Sequence, residues 1–144
     1  MYLFNRSINV NVRSADGQYL IVDGIFLDSH HEICLTLTVE IATYTIVEAD
    51  GELRRTPHVD CRDTRELIKN LIGLTIDKGI RRKLQSAVGL ENGCTHLFEL
   101  SLECIKGLIQ AKYSLMNLTM PSEQVSAYVE DYLKDSCYHY RSKL

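Results

Sequence analysis

The sequence predicts an α+β fold: an N-terminal antiparallel meander of three to four strands, followed by three to four helices packed on one face. Three observations predict it. Residues 33–41 alternate apolar and polar without a break, the period-two rhythm of a strand with one buried face. After Pro57 the rhythm changes to steps of three and four, which is the spacing of an apolar helix face. The strand-like stretches are joined by short connections, and these suit antiparallel neighbours because parallel ones need long crossovers.

The first strand is read at 8–13, where Ile8, Val10 and Val12 alternate with Asn9, Asn11 and Arg13. Ala15-Asp16-Gly17 then supplies turn chemistry. The second strand runs over 19–27, rich in Tyr, Ile, Val and Phe, with Gly24 expected to form a bulge. Asp28-Ser29-His30-His31 reads as a solvated turn in which Asp28 could contribute to a weak surface metal site. On the third strand, Cys34 shares the polar face with Thr36, Thr38 and Glu40. A fourth strand, 44–48, leads into an Asp50-Gly51 turn signal.

The helices follow. Asp63-Thr64-Arg65-Glu66 resembles a capping box opening a short helix that stops at Gly73. Asp77 is expected to cap a second, with Ile80, Leu84 and Val88 on one face and Gly89 as its stop. A third starts near Gly93 and carries Leu97, Leu100, Cys104, Leu108, Ala111 and Leu115 in one stripe. A fourth begins around Pro121 and carries Val125, Tyr128, Val129, Tyr132 and Leu133. Its tyrosines, with Tyr138 and Tyr140, read as a packing face; a base-stacking platform would need a basic groove beside it.

The length of 144 residues suits one domain over 1–144, with 1–56 mostly strands and 57–144 mostly helices. The 45% hydrophobic and 24% charged content is ordinary for a globular protein. A net charge of −3, and no basic run longer than Arg81-Arg82-Lys83, argue against a nucleic-acid partner. No apolar run approaches the ~20 residues of a membrane span. The start lacks a charged region followed by a long apolar stretch, so no leader and a cytoplasmic location are expected. Cys34, Cys61, Cys94, Cys104 and Cys137 are odd in number, which speaks against a disulfide framework.

Gly93-Cys94-Thr95-His96 is the most suggestive string. A cysteine in the first turn of a helix meets free N–H groups and the positive end of the dipole, which favour a thiolate. His96 lies about 200° further round an ideal helix, so the two converge only if Cys94 belongs to the loop. Glu99, three residues past His96, is placed to orient its ring. Cys61 and Cys137 also lie near predicted helix boundaries. Cys61, Cys94, His96 and Cys137 together would fit a tetrahedral zinc site or an iron–sulfur cluster. Cys104 on the apolar stripe reads as core, and Cys34 as a partly exposed strand residue.

Residues 71–80, then Gly93-Cys94-Thr95-His96-Leu97-Phe98-Glu99-Leu100, resemble the bacterial family called domain of unknown function 2889. Residues 13–17 and 22–28, Pro57-His58 with Cys61, and Asp135-Ser136-Cys137-Tyr138 are similar to it as well. The resemblance implies cysteine at the positions of Cys61, Cys94 and Cys137 and histidine at that of His96; it implies no activity. A weaker likeness is to iron–sulfur scaffold proteins of the NifU type, whose Cys-x-Asp pairing Cys61-Arg62-Asp63 resembles.

Three functions are therefore expected, in this order. The first is a metal- or iron–sulfur-binding module using Cys61, Cys94, His96 and Cys137. The second is an accessory protein with core cysteines that docks a protein partner or a second copy of itself. The third is a thiol enzyme acting on an acyl group such as a thioester, with Cys94 as nucleophile, His96 as base and Glu99 as orienting group. No phosphate-cradling glycine loop or paired-carboxylate signature is present.

Overall fold

A computed structural model describes residues 1–142. The elements are β1 (Arg6–Ala15), β2 (Tyr19–Asp28), β3 (Glu32–Glu40), β4 (Thr45–Arg55), a 3-10 helix (Asp60–Leu71), α1 (Ile80–Val88), α2 (Thr95–Thr119) and α3 (Ser122–Leu133). The four strands form one antiparallel sheet in the order β1-β2-β3-β4. Strands first and helices afterwards make this the α+β fold read from the sequence.

The chain forms two compact units, the first ending at Leu108 and the second starting at Ile109. In the first unit, alternation along the strands puts Leu20, Val22 and Phe26 of β2 on one sheet face with Ile33, Leu35, Leu37 and Val39 of β3. All are buried, as are Leu97, Leu100 and Cys104 of α2. Each such side chain contributes roughly 1.5–3 kcal/mol through lost apolar surface. In the second unit Val125 of α3 is buried, and the Tyr113 and Tyr132 rings meet at 6.1 Å. Among the described residues no helix is long and apolar enough to cross a membrane.

Three local expectations need correction. Gly24 makes no bulge: it pairs in register with Val10 and Leu35. It stays glycine because a Cβ there would collide with Cys104 Sγ and Leu100 Cδ1 of α2. Asp50-Gly51 is no turn. β4 runs on to Arg55, with Gly51 opposite Leu35 and against Ile68 of the 3-10 helix, so helix packing rather than chain reversal explains the glycine. The 63–66 string is not a capping box. The helix starts at Asp60, no side chain caps it, and Thr64 Oγ1 donates to the Cys61 carbonyl at 2.6 Å.

Candidate metal centre

The even-numbered face of β2 continues past Phe26 to Asp28, so a carboxylate occupies a core position. Asp28 is 3% exposed and must be compensated. Its Oδ1 accepts the backbone N–H groups of His30 at 2.8 Å and His31 at 2.7 Å, and faces His31 Nδ1 at 3.0 Å. Its Oδ2 takes the Arg6 guanidinium at 3.3 Å. Burial works to raise the carboxyl's pKa. The N–H of His30, and the ring and N–H of His31, outweigh it and hold the group far below the usual carboxylate range.

The turn carrying these donors is pinned from β4. Arg55 donates to the carbonyls of Asp28 and Ser29, each at 2.8 Å, and of His31 at 3.2 Å. Asp28 N–H closes the reversal onto the His31 carbonyl at 3.0 Å. His31 is only 9% exposed, whereas Ser29 and His30 face solvent, so the turn expected to be solvated is half buried. The need to satisfy Asp28 folds it inward.

The second imidazole arrives on α2. Cys94 N–H donates to the Val88 carbonyl at 2.8 Å, and Phe98 N–H to the Cys94 carbonyl at 3.0 Å, so Cys94 immediately precedes the helix and its carbonyl accepts the first helical bond. Gly93 makes this junction possible, since a Cβ there would strike the carbonyl oxygens of Val88 and Gly89. His96, in the first turn of α2, sets its ring 3.8 Å from that of His31, inclined at 34°. Both rings pack against the buried Phe26, at 5.2 Å for His96 and 6.3 Å for His31. Burial, then the neighbouring His31, lower the pKa of His96, while Glu99 and Asp28 oppose the shift. The ring is thus neutral at pH 7, the form that ligates metal. Arg6 completes the surround: its guanidinium lies 4.8 Å over the Phe26 ring and reaches Glu99 Oε2 at 3.4 Å.

One ligand atom from each of Asp28, His31 and His96 lies within 4.8 Å of the others. Among the described residues this is the one group of three or more His, Cys, Asp or Glu side chains so arranged. It takes His96 from the predicted set of Cys61, Cys94, His96 and Cys137, and no cysteine. Cys61 opens the 3-10 helix, which packs on β4 and α1, whereas α2 lies over β1 and β2. Cys94 precedes His96 by two residues and so leaves the helix mouth on another side. Cys137 follows α3 and is exposed. All five cysteines are free. Cys104 is core, its thiol pushed up to about 12 by burial, with Asp23 and Glu103 adding. Glu99 pairs with Arg6, and the orienting carboxylate of the site is Asp28, acting on His31.

Sequence reading missed the weight of Asp28 and His31. The signal was the β2 rhythm itself: Leu20, Val22, Gly24 and Phe26 extrapolate to Asp28 on the buried face.

No curated protein and no solved structure matches this chain. A family model, described as protein of unknown function (DUF2889), matches residues 4–110, a stretch that holds Arg6, Asp28, His31, His96 and Glu99 and ends before Cys137. A match over most of the chain makes it a member of that DUF2889 family.

Proposed function

We propose that this protein is a metal-binding module of the bacterial cytoplasm, holding zinc or a similar divalent ion on His31 and His96, with Asp28 orienting His31. The observation that carries the reading is the approach of the three donors to within 4.8 Å, from the end of β2, its turn and the first turn of α2. Two imidazoles, one of them held by a carboxylate on its far nitrogen, suit zinc and its first-row neighbours. An iron–sulfur cluster would need thiolates, and the donor group has none. A carboxylate on the far nitrogen of a ligating histidine fixes its tautomer and raises its basicity. Here the Asp28–His31 Nδ1 contact leaves Nε2 as the ligating atom.

Arg6 is the competing cation. It neutralises the buried carboxylate when no ion is present, and an incoming ion works against its charge.

The test is thermal unfolding of chelator-treated protein with added zinc. At a hundredfold excess over the dissociation constant, zinc should add about 2.7 kcal/mol of stability. His31→Ala and His96→Ala should abolish the shift. A wild-type melting curve that zinc leaves unmoved, or one that both variants shift equally, would defeat the reading and favour an accessory protein.

A further inference from the structure

The sheet has two edges, and they differ. The outer edge of β4 is partly occupied: Ile46 N–H donates to the Leu74 carbonyl at 3.0 Å, and Gly73 N–H to the Ile46 carbonyl at 2.7 Å. β1 pairs with β2 alone. Its ten residues run in unbroken register from Arg6 opposite Asp28 to Ala15 opposite Tyr19. Edge strands are normally blunted by proline, lysine, bulges or shortness. β1 has no proline, lysine or bulge and is ten residues long. Its charges, Arg6 and Arg13, sit toward its ends and pair with Asp28 and Asp23, and Ser7, Ile8, Asn9 and Asn11 between them are exposed.

The direction of its free groups follows from the bond just before the first pair. Ser29 N–H donates to the Asn5 carbonyl at 3.2 Å. Bonded and non-bonded pairs alternate in an antiparallel ladder. Odd-numbered residues of β1 therefore bond to β2, and Arg6, Ile8, Val10, Val12 and Ser14 turn their N–H and C=O groups outward. Those same residues share the sheet face of their β2 partners Asp28, Phe26, Gly24, Val22 and Leu20, and Val10 and Val12 lie against Gly107 of α2.

We propose that β1 pairs antiparallel with β1 of a second copy of this chain, about a two-fold axis at Val10, to make one continuous sheet. The sequence is self-complementary in that register. Val10 meets the partner's Val10, Ile8 meets the partner's Val12, and Arg6 meets the partner's Ser14. On the opposite face Asn9 meets the partner's Asn11, amide against amide. Only even-to-even pairings satisfy the outward groups, so the nearest alternatives slide by two residues. One sets Arg6 against the partner's Val12, and the other sets Ile8 against the partner's Ser14. The Val10 register alone sets each of Ile8, Val10 and Val12 against an apolar partner. A two-fold interface of one strand with its own copy closes on itself and propagates no fibre.

Sedimentation equilibrium of the full chain should give twice the 16.4 kDa chain mass. Ile8→Pro removes one outward N–H, at an edge position where proline is tolerated. Ile8→Lys adds a charge to the strip and keeps the backbone. Each should weaken dimerisation at least tenfold while leaving the circular dichroism unchanged; if the proline variant does not fold, the lysine variant decides. A wild-type chain that stays at monomer mass up to millimolar concentration would overturn the proposal, as would a dimer that Ile8→Lys leaves intact.

Discussion

Asp28 concentrates the electrostatics of the site on one side chain. Three donors converge on Oδ1 and a guanidinium on Oδ2, so the charge is stabilised although it is buried. Asp28→Asn keeps the shape and removes the charge. It leaves the buried N–H groups and the partly exposed Arg6 facing a weaker, neutral acceptor and should cost about 1–3 kcal/mol. Zinc affinity should fall about 10- to 100-fold in the same variant, read by titration calorimetry, because His31 loses its orienting partner. His96 adds a pH dependence of definite sign. The folded chain keeps this ring neutral to lower pH than the unfolded chain does, so the unfolded state takes up the proton first. The contribution is complete above the unfolded value of about 6.5 and is lost as pH falls through the lower folded value. Urea unfolding should show less stability at pH 5.5 than at pH 7.5, with His96→Gln reducing the difference. Asp28 acts in the same direction at lower pH: its contribution begins to fall as pH drops through the unfolded carboxylate value of about 3.9 and is lost progressively toward its much lower folded value.

At the scale of elements, the three donors converge because two chain reversals are held by hydrogen bonds and close backbone contacts. One is the β2–β3 turn under Arg55; the other is the junction of α1 and α2 at Gly93. Gly93→Ala would drive a methyl group into two backbone carbonyl oxygens that have no easy retreat, costing about 1–3 kcal/mol as overpacking does. Because the junction aims His96, zinc affinity should weaken as well, measured on the same protein. Elements were legible where burial set a rhythm. Residues 33–41 announced β3, and the stops at Gly73 and Gly89 fell where the helices end. Legibility failed at glycines. Gly24 and Gly51 resemble a bulge and a turn in sequence, yet both make room for side chains of distant helices, a tertiary demand no local pattern carries.

For the molecule as a whole, the same limit explains the site. Cysteine and histidine near helix ends were visible, but which of them meet depends on the packing of α2 over β1 and β2 and of the 3-10 helix on β4 and α1. His96 was singled out by its place behind Gly93-Cys94. Asp28 and His31 were visible only as a polar turn, because a charged residue at the end of a buried rhythm reads as the strand's exit to water. Its burial is stabilised by Arg6, 22 residues upstream, and by Arg55, 27 residues downstream. The measurement that bears most directly on the account is X-ray absorption at the zinc edge of the zinc-loaded chain. It should show nitrogen and oxygen neighbours alone, at about 2.0–2.2 Å. A shell of sulfur at about 2.3 Å would contradict it, and would return the site to Cys61, Cys94 and Cys137.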